Sequence, residues 1–113
     1  MGFIIVITLR VLFSPENRRD GLDILRAVIG PIQGEPGFIR FNLYQDVDDE
    51  NAVTFEEVWN SQADLDRRIC SKLYRHMLAV MDLSLEPPEI NFQTVSSGSG
   101  MEKIKLLREE VNE

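Results

Sequence analysis

One cysteine, one histidine and one tryptophan occur in 113 residues, and that scarcity removes several kinds of protein at once. A lone Cys70 cannot close an internal disulfide, so the chain is not a disulfide scaffold. With His76 as its only companion, a zinc site of the usual cysteine and histidine make-up cannot be assembled. Basic residues are in the minority: 12 Lys and Arg face 19 Asp and Glu, leaving a formal charge of −7. Nucleic acid and anionic membranes both need a basic footprint, so neither is expected as a partner. No phosphate loop, GxSxG elbow or dinucleotide fingerprint is present, and no flavin is expected. The apolar run FIIVITLRV is far too short to span a bilayer and is interrupted by Arg10. It has no basic lead or small-residue cleavage site, and a cytoplasmic location is the expectation.

What is present reads as one α+β domain. Hydrophobic residues make up 43% and charged residues 27%, the balance of an ordinary globular chain. Phe3 to Phe13 is rich in β-branched and aromatic residues. One face carries Phe3, Ile5, Ile7, Leu9, Val11 and Phe13, and the other is half apolar, the pattern of a central strand covered on both sides. Ser14-Pro15-Glu16 predicts a helix start, and Leu22, Leu25, Val28, Ile29 and Ile32 form its apolar stripe. Gly30-Pro31 is expected to end or kink it. Ile39, Phe41 and Leu43 alternate with Arg40, Asn42 and Tyr44 in a second strand. A third runs from Val53 to Trp59, after the loop VDDEN.

Ser61 and Asp64 resemble a capping box opening a second helix, with Leu65, Ile69, Leu73 and Met77 on one side and a break near Ser71. Cys70 shares that apolar face and reads as an inert small hydrophobe. After Pro87-Pro88, Ile90, Phe92 and Thr94 alternate in a last strand. The order is β-α-β-β-α-β, the ferredoxin-like split arrangement with an antiparallel four-strand sheet. It occupies residues 1–96. Residues 97–113 form a Ser/Gly linker and a C-terminal amphipathic helix, with Met101, Ile104, Leu107 and Val111 at helical spacing.

The run Glu35-Pro36-Gly37, the strand ending Tyr44-Gln45-Asp46, then Phe55-Glu56-Glu57-Val58-Trp59 and Leu65 resembles the antibiotic biosynthesis monooxygenase family. In that family a proline-glycine turn precedes the second strand, Glu-x-Trp ends the third, and a leucine follows six residues later. The resemblance covers roughly residues 3 to 95. It implies a dimeric α+β barrel and a pocket between sheet and helices. It also implies cofactor-independent oxygenase chemistry on a small aromatic compound of quinol or phenol type. Arg68 stands where many catalytic members have histidine, and Leu78 where the haem-degrading branch has another. His76 is about 200° away on a helix, so haem ligation in the family's manner is not expected. No cofactor is expected.

Six residues are candidates for ligand contact and two for acid-base work. Trp59, Phe55 and Tyr44 could wall a pocket, and Arg40, Asn42 and Arg68 could donate to an oxyanion. Glu57 shares a strand face with Phe55 and Trp59, and histidine, present only as His76, is the side-chain type whose ordinary pKa lies near neutrality; either could be the catalytic base. The plain alternatives are a core tryptophan, a carboxylate paired with arginine, and a surface histidine. Asp46, Asp48, Glu50 and Glu57 nearly spell a calcium loop. Strands flank it instead of helices, and Asn51 replaces its glycine, so no metal site is expected. The alternative to an enzyme is a non-catalytic small-ligand or interaction module on the same fold. A homodimer is expected in either case: both crossovers lie on one side of the sheet, and the other face includes Ile4, Val6 and Leu12.

Overall fold

The computed structural model describes residues 3–96 and 100–111. The elements follow in chain order: β1 (Phe3–Leu12), α1 (Arg18–Gln33), β2 (Phe38–Gln45), β3 (Ala52–Trp59), α2 (Gln62–Ile69), a 3₁₀ turn (Lys72–Tyr74), α3 (Arg75–Asp82), β4 (Glu89–Ser96) and α4 (Gly100–Val111). The sheet order is β2-β3-β1-β4, and every neighbouring pair is antiparallel. This is the ferredoxin-like α+β arrangement that the hydrophobic alternation predicts. The linker residues 97–99 lie outside the described residues.

Alternation places one face of each strand under the helices. Ile5, Ile7, Leu9 and Val11 stand opposite Trp59, Glu57, Phe55 and Val53. These apolar positions join Leu22, Leu25, Val28 and Ile32 of α1, Leu65 of α2, and Met77 and Val80 of α3 in one buried cluster. Burial of such side chains contributes about 1.5–3 kcal/mol each, enough to dictate the strand register. On the reverse face of β1, Ile4, Thr8, Arg10 and Leu12 are only half-buried. β1 is central, as expected, but a single chain has helices on one side only. Arg10 on this face is held by Asp46 at 2.7 Å.

Four local expectations are corrected. Helix α1 begins at Arg18, not at Pro15. Ser14 instead closes the lead-in turn, its hydroxyl accepting from the Asn17 amide at 3.2 Å. The helix also continues through Pro31 to Gln33, because the buried Ile32 ties the final turn to the core more strongly than the missing proline amide loosens it. In β2 the register slips between Phe38 and Arg40. That bulge turns Phe38, instead of Ile39, toward the core. Finally, Cys70 is exposed at the C-terminus of α2, since the chain breaks there before the 3₁₀ turn and no longer follows helical spacing.

The turn before β2 is built against the start of α2. Gly37 has φ +80, and its Cβ, if present, would run into the Asp64 side chain. Asp64 is fixed there because Ser61 caps α2, accepting from the Asp64 amide at 3.2 Å while its hydroxyl donates to the Asp64 carboxylate at 2.8 Å. The Asn60 amide donates back to the Gly37 carbonyl at 2.8 Å. Glycine is therefore required at position 37 both by its backbone angle and by its neighbour.

Candidate functional site

β3 directs Phe55, Glu57 and Trp59 into the layer between sheet and helices, since strand residues two apart share a face. Glu57 is the one carboxylate buried there among the described residues, at 2% exposure. Three donors hold it. The Trp59 Nε1 donates to Oε1 at 3.0 Å, the Arg68 Nε donates to the same oxygen at 3.4 Å, and the Arg68 Nη2 donates to Oε2 at 3.2 Å. Arg68 descends from α2 and is itself 1% exposed. Charges this deep persist only when paired and hydrogen-bonded on both sides. The described residues leave no buried side-chain nitrogen or oxygen without a partner.

Aromatic rings enclose the pair. The Arg68 guanidinium carbon lies 5.1 Å from the centre of the Tyr74 ring, a cation–π contact. Tyr74 reaches it because the chain breaks after α2, where the Ser71 hydroxyl donates to the Arg68 carbonyl at 2.7 Å. Phe38 meets Trp59 edge-on at 5.5 Å, and Phe41 stacks with Phe55 at 6.0 Å. Burial pushes the Tyr74 phenol above its ordinary pKa, with a further push from Glu57 and a partial offset from Arg68. At the edge of the cluster, burial also raises the Glu35 carboxyl; Glu57 adds to the rise, while Arg68 and Arg67 oppose it.

His76 is half-buried beside a small cavity between α1 and α3, which it lines with Pro31, Leu73 and Arg68. The cavity volume is about 30 Å³, room for roughly one water molecule. Arg68 thus has two neighbourhoods: its guanidinium binds Glu57 within the core, and the side chain borders the space that His76 overlooks.

The predicted site residues divide into two groups. Trp59, Phe55, Glu57 and Arg68 come together, with His76 next to them across Arg68. Arg40, Asn42 and Tyr44 belong to the opposite face of β2: Arg40 stands opposite Val58, and Asn42 Nδ2 donates to the Glu56 Oε1 at 3.1 Å. Tyr44 borders a separate surface cleft of about 180 Å³ with Arg18 and Arg26. Sequence reasoning passed over Tyr74, Phe38 and Glu35. A break near Ser71 was legible, but its effect of folding Tyr74 back over Arg68 was not. The calcium-like set is dispersed, with Asp46 on Arg10 and Glu57 on Arg68.

A four-strand antiparallel sheet with helices packed on one face defines a ferredoxin-like α+β domain, with a buried polar cluster between the layers. The sequence profile of the antibiotic biosynthesis monooxygenase family matches residues 2–79, and the chain belongs to that family. An uncharacterized protein of Synechocystis is 26% identical over 93 residues, covering 81% of this chain; the chain spans 63% of that relative's length. Among solved structures, a conserved protein from Methanosarcina mazei superposes with a TM-score of 0.78 at 20% identity, covering 83% of this chain and 94% of its own. SnoaB, a cofactor-independent oxygenase from Streptomyces nogalater, superposes with a TM-score of 0.73 at 16% identity, covering 88% and 99%. At these identities the structural likeness establishes the fold. No described helix is long and apolar enough to cross a membrane.

Proposed function

We propose that this protein is a cofactor-independent oxygenase of its family, acting on a small aromatic compound of quinol or phenol type. One observation carries the reading: His76 and the buried Arg68 line the same cavity, and Arg68 also meets the Tyr74 ring and the Glu57 carboxylate. In this chemistry the substrate is its own reductant. Loss of a phenolic proton makes an electron-rich anion that can reduce dioxygen, so the protein supplies a base, a dry pocket and a positive group near the developing oxyanion. His76 is the base in this reading and Arg68 the positive group. Glu57 and Trp59 hold Arg68 in place, and SnoaB, described as a cofactor-independent oxygenase, shares the fold. Oxygen consumption with a panel of quinols and anthrones tests it. Uptake should be measurable with at least one of them and fall by about 10²–10⁴-fold in His76→Ala at unchanged stability. Equal rates in the two proteins would remove His76 from the mechanism.

A second reading has its own observation. Small-molecule pockets usually enclose about 300–1,000 Å³, and the cavity here measures about 30 Å³. A chain whose arginine and carboxylate satisfy each other could be a binding or interaction module that has given up catalysis. No oxygen uptake with any member of the panel, together with saturable quenching of Trp59 fluorescence by an aromatic ligand, would favour it.

Both readings include a homodimer joined through the helix-free face of the sheet, where Ile4, Thr8 and Leu12 are half-buried in one chain. Light scattering at micromolar concentration should give twice the 13.0 kDa chain mass. A well-folded species of single mass would refute the pairing.

A further inference from the structure

The helix layer stops short of β4. Pairing sets Ile90 beside Leu9 and Phe92 beside Ile7, so both side chains lie on the core side of the sheet. Even so, Ile90 is 41% and Phe92 55% exposed. α1 packs on α3 and β2, and α2 packs on β3, while the neighbour of β4 is β1. The sheet therefore carries one strip of core surface without a lid, and Leu85, on the approach to it, is exposed as well.

A lid without a sheet stands at the other end of the same segment. Every residue of α4 is exposed. At 100° per residue, Met101, Ile104, Leu107 and Val111 gather on one side with Arg108 beside them, Lys103, Lys105 and Glu110 flank them, and Glu109 falls opposite. A helix of 12 residues is marginal in water and needs a surface to pack on. Its length of about 18 Å suits the strip from Ile90 to Thr94, about 13 Å long. Its basic flanks suit an acidic body: Asp82 and Glu86, on the segment leading into β4, hold no ion pair among the described residues.

Within one chain the two surfaces remain apart. The radius of gyration is 16.9 Å and the long axis 55 Å, against a radius of about 13 Å for a compact chain of this length. We propose that α4 is an exchanged arm, which docks on the uncovered core-side strip of β4 in a second copy of this chain. Its apolar stripe covers Ile90 and Phe92, and its lysines approach Asp82 and Glu86. A twofold pair makes both contacts at once and leaves neither surface bare.

Cross-linking between two full-length chains of different mass tests the exchange. Both carry Cys70→Ser; one adds Phe92→Cys, and the other adds Ile104→Cys and a mass tag. After mixing, equilibration and treatment with a short bismaleimide, the main product should have the summed mass. Its yield should fall about tenfold when Leu107→Glu and Val111→Glu are added to the arm, a loss that corresponds to weakened docking. A chain bearing both cysteines should link between copies. Linkage only within one chain would overturn the exchange in favour of folding back. Absence of any link between positions 92 and 104, or a yield indifferent to the two glutamates, would overturn it outright.

Discussion

Along β3 the chain buries nearly everything it presents, including a carboxylate that meets the buried guanidinium of Arg68 from α2; along β4 and α4 it leaves isoleucine, leucine and phenylalanine in water. The two regions are made from similar apolar patterns, so pattern is not what separates them. The first is closed by contacts within the chain, where three donors converge on Glu57, Tyr74 covers its partner, and Phe38, Trp59, Phe41 and Phe55 pack in pairs. In the second, every residue of β4 and of α4 is exposed, and β4 pairs with β1 alone among the described strands. A region complete within one copy thus lies next to one that a single copy leaves unfinished.

The strongest way to break this contrast is to open the sealed region. Arg68→Ala would strand a buried carboxylate and should destabilise the fold by about 3–5 kcal/mol in urea unfolding. Replacing both partners, Glu57→Leu with Arg68→Met, should recover part of that loss, because two apolar side chains of similar size need no charge partner while the Trp59 indole N–H loses its acceptor. By contrast Leu106→Ala, on the outer side of α4, should shift stability by less than about 0.5 kcal/mol. A loss of under about 1 kcal/mol for Arg68→Ala would mean that water reaches Glu57, and the contrast would fail.

A gentler probe sharpens the edge of the sealed cluster. The folded state raises the Glu35 pKa above its reference value of 4.5, chiefly by burial. Folding therefore favours the protonated acid. The contribution of Glu35 is fully favourable below the unfolded pKa and is lost as pH rises through the raised one. Glu35→Gln should remove that dependence: relative to the mutant, the parent loses stability from mildly acid to neutral pH. The effect should be small, since Glu35 is only partly buried. Parallel stability–pH curves for the two proteins would show that folding does not raise the Glu35 carboxyl.

Much of the fold was legible because it rests on local periodicity. Alternation over Phe3–Phe13 and Val53–Trp59 named the core faces, and the Ser61–Asp64 cap marked the start of α2. The errors fell where a tertiary contact outweighed a local signal. Pro31 stayed helical because Ile32 is anchored in the core, and Phe38 replaced Ile39 because a bulge slipped the register. In the site, the shared face of Phe55, Glu57 and Trp59 could be read from spacing of two. The partnership of Glu57 with Arg68, 11 residues away, could not, nor could the return of Tyr74 across a helix break.

The sequence by itself determined the class of fold and the order of elements, because binary patterning and turn chemistry act over a few residues and survive without knowledge of distant neighbours; the family was legible only through the resemblance of its short motifs. Only the tertiary structure decided which charges pair, which face of β2 each polar residue takes, and which apolar surfaces stay uncovered. Those depend on distances between elements remote in the chain, where burial turns a weak surface attraction into a strong requirement for a partner.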